Sequence, residues 1–232
     1  MIGIGVHGRK FTDFLPTNVS NLAVWLRADK GVTFDGGGRV SQWDFENGTF
    51  RGVSNVSQGT AANQPLLIVA DSNYNNQSVI DFDGNDHLDS GVFSSVITQP
   101  NTMFVVGNFG GAGNEAFLDA VAAGNREVVF QTGGATTLFA GASLSGSASD
   151  TSVHIYESTF NGVSSEIIID GSSDATGDSG AEGLASLRIG ANITPGFFLT
   201  GKEAEIIIYN ANVSSSDRVK IRNYLKTRYA TP

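Results

Sequence analysis

The C-terminal run from residue 201 to 229 constrains the fold more than any other part of this chain. It reads GKEAEIIIYNANVSSSDRVKIRNYLKTRY. Residues 204–209 are β-branched and aromatic for the most part, which predicts a strand, and three consecutive isoleucines indicate that both faces of it are covered. After a break at 210–213, Ser214 is suited to cap a helix, with Asp217 three residues later as its partner in a capping box.

The predicted helix has an apolar face and a basic face. Its apolar residues recur at helical spacing: Val219, Ile221, Tyr224, Leu225 and Tyr229. Its cations are five of the 14 Lys and Arg residues of the chain: Arg218, Lys220, Arg222, Lys226 and Arg228. Because the helix macrodipole favours cations near a C-terminus, we expect a solvated basic face, with a patch for an anionic partner as the alternative. We expect the helix to pack on the edge or rim of a β domain.

The rest of the sequence predicts that β domain. At 232 residues the chain is long enough for one domain with a sizeable core, and its 29 glycines fall with Asn, Asp and Ser between short apolar runs. The predicted strands are 22–27, 40–43, 78–82, 102–109, 127–131, 137–140, 154–160, 165–169, 184–189 and 204–209. Asn161-Gly162 predicts a type I′ hairpin turn, and residues 44–64 and 172–183 are predicted as loops.

Composition excludes several classes of function. The net charge of −9 disfavours binding to a nucleic acid backbone, which requires clustered Lys and Arg. The absence of cysteine excludes disulfides, thiolate metal sites and Cys nucleophiles. No apolar run approaches the roughly 18 residues that span a bilayer, and the first residues do not form a signal peptide. We therefore expect neither a nucleic acid partner nor a membrane partner.

Residues 1–20 are predicted to be a flexible N-terminal arm, followed by one domain over residues 21–232. Gly3, Gly5 and Gly8 lie in this arm, and Pro16 ends it. Their spacing matches a dinucleotide-binding fingerprint, but no strand precedes them and no βαβ unit surrounds them, which favours an arm. Such an arm usually docks on a neighbour or stays loose.

An ordered set of motifs resembles the LamG-like, concanavalin A-like jelly-roll domains of bacteria and their viruses. The set is LAVWLRADKGV (22–32), VSQW (40–43), Gln64-Pro65, IDFDGNDHL (80–88), the hairpin ending at Asp170-Gly171, LRIG (187–190) and the C-terminal run. The resemblance covers roughly residues 20–230. It implies two antiparallel sheets packed face to face, with a concave face and rim loops, in a family of mostly carbohydrate- or protein-binding modules. The segment Asp44-Phe45-Glu46-Asn47-Gly48 departs from the family pattern after VSQW.

No catalytic or cofactor-binding residues are predicted. Gly177-Asp178-Ser179-Gly180 is similar to a protease nucleophile loop, but none of the three histidines (His7, His87 and His154) lies in a suitable context for a triad. Glycosidases on jelly-roll folds need paired carboxylates; Glu203 and Glu205 alternate correctly but begin a predicted core strand. We therefore expect a protein that is not an enzyme.

Two further residue groups have competing interpretations. Asp81, Asp83, Asn85 and Asp86 could supply oxygen ligands to calcium, although an Asp-Gly turn after a strand is the simpler explanation. Trp25 and Trp43 could stack against sugars, but their apolar context favours core packing.

Together these observations predict an all-β, two-sheet antiparallel jelly-roll sandwich with one C-terminal α-helix and no cofactor. The first functional hypothesis is a non-enzymatic phage virion protein: a capsid decoration protein, head fibre or tail-associated adhesin at the virion surface. It would contact other virion proteins through the arm, form a homo-oligomer and bind glycans or a host surface. The alternative is an extracellular carbohydrate-binding module of a secreted bacterial protein.

Overall fold

The structure is a computed structural model that describes residues 14–111, 113–194 and 196–232. Across these ranges the chain forms a succession of short strands followed by one α-helix. In chain order they are β1 (Leu22–Arg27), β2 (Val32–Phe34), β3 (Val40–Asp44), β4 (Asn55–Ser57), β5 (Leu66–Asp71), β6 (Gln77–Asp81), β7 (Leu88–Ser90), β8 (Asn101–Asn108), β9 (Glu115–Asp119), β10 (Val128–Thr132), β11 (Ala135–Phe139), β12 (Ser143–Ala148), β13 (His154–Phe160), β14 (Ser165–Ile169), β15 (Ser172–Gly177), β16 (Arg188–Ile189), β17 (Lys202–Tyr209) and α1 (Ser215–Tyr229).

The strands form two antiparallel sheets. The sheet here called the back sheet has eight strands in the order β15-β14-β13-β8-β17-β6-β5, with β1 also paired to β17. The front sheet has nine strands in the order β12-β11-β10-β9-β16-β7-β4-β3-β2. Strands β1 and β6 pair with the same edge of the long strand β17. β1 pairs with residues 205–209 and β6 pairs with residues 202–203. This confirms the predicted two-sheet sandwich.

The main core lies between the sheets and takes side chains from both. Leu26, Met103 and Ile206 of the back sheet pack there with Trp43 and Leu138 of the front sheet, and each is fully or almost fully buried. A stack of aromatic rings fills one end of this layer, where Phe109 and Phe117 lie 4.1 Å apart between ring centroids. Rings in such offset contacts contribute about 1 kcal/mol beyond the burial of their area.

The helix packs on the outer face of the back sheet, so the prediction that it lies on an edge or rim was wrong. Ile221, Leu225 and Tyr229 are buried against a second apolar layer. The sheet side of that layer is made by Trp25, Phe104, Val106, Ile155, Ile207 and Tyr209. The sequence contained the reason: the three isoleucines of β17 alternate between the two layers, so the sheet needs an apolar cover on both faces.

Ser214 caps the helix as predicted, since its Oγ accepts a hydrogen bond from Asp217 N–H at 3.2 Å. The predicted solvated basic face was wrong for three of the five cations. Arg218 and Arg222 both bind Glu157, a fully buried side chain of β13, and Arg218 Nη2 also lies 2.8 Å from Glu166 Oε2. Arg228 pairs with Asp29 at 2.7 Å. These arginines therefore fasten the helix to the sheet.

A buried carboxylate, Glu205 of β17, makes the second attachment of the helix. It accepts hydrogen bonds from Trp25 Nε1 at 2.6 Å, Tyr229 OH at 2.8 Å and Tyr224 OH at 3.0 Å. Burial raises the pKa of Glu205, and the hydrogen bonds from Trp25 and Tyr229 oppose that rise. Polar groups buried at this depth persist in proteins only when they are hydrogen-bonded, and Glu205 meets that condition.

Several strands were not predicted from the sequence. The segments predicted as loops contain β4 and β15, and β2, β5, β7, β9 and β12 were not predicted. The predicted strand 184–189 contains only β16, Arg188–Ile189. The hairpin of β13 and β14 exists, but a 3₁₀ turn at Gly162–Ser164 joins its strands, and Asn161 has a φ of −154° instead of the positive value of a type I′ turn.

Part of the predicted arm, residues 14–20, lies within the structure and packs on the domain. Pro16 and Val19 are buried, Phe14 meets the ring of Tyr224 edge to face, and Tyr209 OH donates to Pro16 O at 2.9 Å. The remainder of the arm, with Gly3, Gly5 and Gly8, lies outside the described residues. Among the described residues, no helix is long and apolar enough to cross a bilayer.

The attachment of α1 through Glu157 is tested by Glu157→Ala. This change leaves Arg218 and Arg222 partly buried without their common partner, and breaking a buried ion pair in this way costs about 3 kcal/mol of unfolding free energy. Urea denaturation at pH 7 measures the loss. Lys220→Ala is the control, because Lys220 lies on the exposed side of the same helix and its removal should change the free energy by under about 0.5 kcal/mol. Equal effects of the two variants would contradict the role given to Glu157.

Candidate functional site

A polar cleft of about 410 Å³ opens beside the C-terminal end of α1. Its walls come from five separate parts of the chain, and the lining residues are Asn73, Tyr74, Asn108, Thr151, Ser152, Val153, Lys202, Ala230, Thr231 and Pro232. The volume is within the usual range of small-ligand sites, about 300–1,000 Å³. The lining is mainly amide and hydroxyl groups, which suits a ligand with many hydrogen-bonding groups.

The floor of the cleft is held by hydrogen bonds among its own residues. Tyr74 OH donates to Asn108 Oδ1 at 2.7 Å and approaches Lys202 O at 3.3 Å. Asn108 Nδ2 donates to Phe109 O at 3.1 Å. The Tyr74 ring is buried, so Tyr74 presents its hydroxyl to the cleft and not an aromatic face. Burial raises the pKa of Tyr74 well above its ordinary value, which keeps the hydroxyl protonated as a donor.

The chain enters the cleft directly after the helix. Ala230 adopts a left-handed conformation with a φ of 53°, and its N–H closes the helix on Lys226 O at 2.9 Å. This turn places Thr231 against the cleft wall. Thr231 Oγ1 is buried and has no hydrogen-bond partner among the described residues. A ligand in the cleft could supply that partner once the Thr231 side chain turns toward it, because an unmet buried hydroxyl is energetically unfavourable.

The opposite wall, residues 151–153, is held by His154 together with Asp150 and Asp170, here called the histidine clasp. His154 lies between two carboxylates, with Nδ1 at 2.5 Å from Asp170 Oδ2 and Nε2 at 3.0 Å from Asp150 Oδ1. The Asp170 hydrogen bond raises the pKa of His154 to about 8; burial opposes this and Asp150 adds to it. The clasp therefore joins both ends of the short segment 150–154 to the strand hairpin.

Both tryptophans lie in the core, as predicted. Trp43 is completely buried and donates from Nε1 to Arg27 O at 2.9 Å. Trp25 lies beneath the helix with its Nε1 on Glu205. Neither ring offers a face to a sugar. The unusual segment after VSQW has a structural role near Trp25, since Asn47 Oδ1 accepts from Trp25 N and Asn47 Nδ2 donates to Ala23 O.

The four residues considered as calcium ligands lie in and beside a turn, the interpretation that the sequence favoured. Asn85 N–H donates to Asp83 Oδ1 at 3.3 Å, and Asp83 N–H donates to Asp86 Oδ2 at 3.2 Å. Burial raises the pKa of Asp86 to about 6. Within residues 14–111, 113–194 and 196–232, no group of three or more His, Cys, Asp or Glu side chains is placed to hold a metal ion. Calcium binding by Asp81, Asp83, Asn85 and Asp86 stays the untested alternative.

Glu203 and Glu205 lie on opposite faces of β17. Ala204 is an extra residue opposite β8, so Glu203 pairs with Gly107 and Glu205 pairs with the next residue, Val106. Glu205 therefore lies under the helix, whereas Glu203 is buried on the inner side and neither of its oxygens has a partner among the described residues. Burial raises the pKa of Glu203 well above its ordinary value. The pair does not share a cleft.

The protease-like loop brings no reactive group to the surface. Ser179 is completely buried, and its Oγ lies 2.8 Å from Ser165 Oγ. His87 is near Gln58 and the ring of Phe198, while His154 is held by its two aspartates. Neither described histidine contacts Ser179, and His7 lies outside the described residues.

The outer face of the front sheet is a second candidate surface, but its charges are paired with one another. Arg188 contacts both oxygens of Asp89 at 2.7 Å, and Arg126 binds Asp119 on a neighbouring strand. Asp119 also accepts from Ile193 N–H at 2.7 Å, which ties the loop after β16 across the sheet. Both arginines of this face are therefore already engaged with carboxylates.

Comparison with known proteins shows which fold this is. No protein-family model and no curated protein matches the chain. Among solved structures, it is similar to domain 4 of an extracellular GH43 arabinanase from Geobacillus stearothermophilus, with a TM-score of 0.63 and 10% identity over 90% of this chain and 98% of that one. It is also similar to an arabinofuranosidase, with a TM-score of 0.63 and 10% identity over 82% of this chain and 51% of that one.

A sialidase from Trypanosoma rangeli matches with a TM-score of 0.57 and 12% identity, over 92% of this chain but only 34% of the sialidase. At such identities the matches show the fold alone. The fold is a concanavalin A-like jelly-roll sandwich, which confirms what the sequence motifs implied.

The histidine clasp predicts a specific pH dependence of stability. A His154 pKa of about 8 in the folded chain, above the ordinary 6.5, adds stability that is complete below pH 6.5 and is lost as the pH rises through 8. Because the site is partly exposed, we expect about 1 kcal/mol after allowance for solvent screening. Urea denaturation of wild type and His154→Gln at pH 6 and pH 9 measures it.

The same substitution at His87 is the matched control. Burial lowers the pKa of His87, so its titration falls mainly below this pH window. The stability difference between wild type and His154→Gln should shrink from pH 6 to pH 9, and that between wild type and His87→Gln should not. A constant His154→Gln difference across the window would refute the clasp.

Proposed function

We propose that this domain is a non-catalytic glycan-binding module and that the polar cleft is its binding site. The observation that carries the proposal is the chemistry of the cleft. Amide, hydroxyl and ammonium groups of Asn73, Asn108, Thr151, Lys202 and Thr231 line one depression of ligand size. Sugars present donors and acceptors in every direction, so a pocket of this kind can satisfy them at several points.

The structural matches support the proposal at the level of related folds. The arabinanase domain was solved in complex with arabinotriose, and the arabinofuranosidase was solved with arabinofuranosyl-alpha-1,2-xylobiose. The arabinanase domain is the more informative of the two structures, because nearly its whole length aligns with this chain. Sandwiches of this shape are thus compatible with glycan ligands.

The positions of the buried acids support a binding role over hydrolysis. Glycoside hydrolysis needs two carboxyl groups flanking one bond, about 5–10 Å apart in one site. Glu203 and Glu205 are buried on opposite faces of β17, and the cleft lining contains no Asp or Glu side chain. We therefore propose that the domain binds its glycan without cleaving it.

The setting in which the module acts is the less constrained part of the proposal. We favour display at the surface of a phage virion, as a decoration protein, head fibre or tail-associated adhesin in homo-oligomeric form. Sequence alone supports this, through the lack of cysteine and the family resemblance. The alternative is a carbohydrate-binding module of a secreted bacterial protein, which the glycan-bound matches suit equally well.

Thr231→Val tests the site. The change removes one hydroxyl at nearly constant volume, and loss of one hydrogen bond to an uncharged ligand should weaken binding about fivefold, or about 1 kcal/mol. Glycan-array screening of wild type identifies ligands, and isothermal titration calorimetry compares affinities. Because Thr231 Oγ1 has no described partner in the free protein, the variant should keep its melting temperature.

Thr33→Val is the matched control, since Thr33 is exposed on β2 of the front sheet, away from the cleft. It should leave the affinity unchanged. If wild type bound no glycan, the function would be refuted; if both variants bound as wild type does, the function would stand but the cleft would not be its site. Release of reducing sugar from a polysaccharide panel would contradict the non-catalytic assignment.

Purified particles test the virion setting. In purified particles of a phage whose genome encodes this chain, we expect proteomic analysis to detect the protein at many copies per particle. We expect light scattering of the purified protein to show a homo-oligomer. A monomer absent from purified particles would favour the secreted module instead.

A further inference from the structure

The cleft has an unusual charge balance. Lys202 is the one charged side chain among its lining residues, all of which the structure describes. An exposed lysine in such a place would attract acidic sugars. Lys202, however, is already committed to a partner of opposite charge.

That partner is Asp71, at the end of β5. Lys202 Nζ lies 2.6 Å from Asp71 Oδ2, and Asp71 is 8% exposed. The other oxygen of Asp71 accepts a hydrogen bond from Asn73 N–H at 2.8 Å, so the carboxylate is fixed in position. Two opposite charges this close attract each other strongly, so the Asp71 carboxylate holds the Lys202 ammonium. A ligand carboxylate would have to compete with Asp71 for the same ammonium.

A second carboxyl group flanks Lys202. Asp81 of β6 is directly opposite Lys202 in the ladder between β6 and β17, which places both side chains on the same face of the back sheet. Asp150 stands behind the other wall, where it accepts from Ser152 N–H at 2.7 Å. Lys202 is therefore paired with Asp71 and lies opposite Asp81, while Asp150 is itself paired with His154, in a chain of net charge −9.

We infer that the cleft accepts uncharged glycans and rejects those that carry a carboxylate, such as uronic or sialic acids. The inference rests on the proposed glycan binding. The Lys202 ammonium can still donate to a neutral hydroxyl with its remaining N–H groups. A neutral hydroxyl brings no second negative charge close to Asp71. An acidic sugar would bring like charges together, a repulsive element that discriminates between ligands of similar shape.

Matched ligands that differ only in charge provide the test. Trigalacturonic acid and 3′-sialyllactose are each compared with their methyl esters, alongside neutral arabinotriose and xylotriose, by calorimetry at low ionic strength. We expect measurable binding only for neutral ligands. The affinity for an ester or a neutral sugar should be at least about tenfold higher than that for a free acid. Tighter binding of either free acid than of its ester would overturn the inference.

Asp71→Asn changes the selectivity in a defined direction. The amide oxygen can still accept from Asn73 N–H, while the charge that neutralises Lys202 is gone. The ratio of acidic to neutral affinity should rise at least fivefold, and Lys202→Gln should give no rise. An unchanged ratio in a folded Asp71→Asn variant would also overturn the inference, and Asp81→Asn provides the same measurement if Asp71→Asn does not fold. Failure of all ligands to bind wild type would instead refute the proposed function.

Discussion

The burial of acidic side chains of the back sheet beneath the helix is the interaction on which the rest of the structure depends. Glu157 and Glu205 project from neighbouring parts of this sheet toward α1, and each meets several donors there. These contacts hold the helix across the outer face of the back sheet. The helix therefore covers a face that would otherwise be exposed to solvent. It also fixes the point where the helix ends, and the cleft begins at that point because Ala230 and Thr231 form one of its walls.

These attachments contribute orientation more than net stability. Removing two charges from water costs several kcal/mol for each ion, and good geometry only repays that cost. An apolar seam of Ile221, Leu225 and Tyr229 alone could cover the sheet but would tolerate rotation or sliding of the helix. Glu157 with two arginines and Glu205 with three hydroxyl or indole donors admit one register. We regard this specificity as the reason for burying acids here, and the loss of stability in Glu157→Ala is the corresponding cost of removing the partner that Arg218 and Arg222 share.

The sequence predicted elements whose signals are local, and it missed those that depend on distant partners. The Ser214 cap, the isoleucines of β17 and the buried tryptophans are of the first kind, because capping and periodicity are properties of a few consecutive residues. β15, with the polar sequence SSDATG, is a strand only because β14 offers it an edge. The arginines of α1 looked solvated because Glu157 lies more than 60 positions away from them. The cleft was not predictable at all, since Tyr74, Asn108, Ser152, Lys202 and Thr231 share no motif.

The bulge at Ala204 connects the cleft to the least favourable feature of the core. In a regular strand, side chains alternate, so the residues before Glu205 would face the core and the helix in turn, and Lys202 would point inward. The extra residue reverses that order: Lys202 reaches the cleft beside Asp71, and Glu203 is turned into the core beside Gly107. β-Bulges are enriched next to functional sites, where they redirect a side chain. A buried carboxyl such as that of Glu203, which has no partner among the described residues, is costly, and the bulge that buries it is explained if its benefit is the position of Lys202.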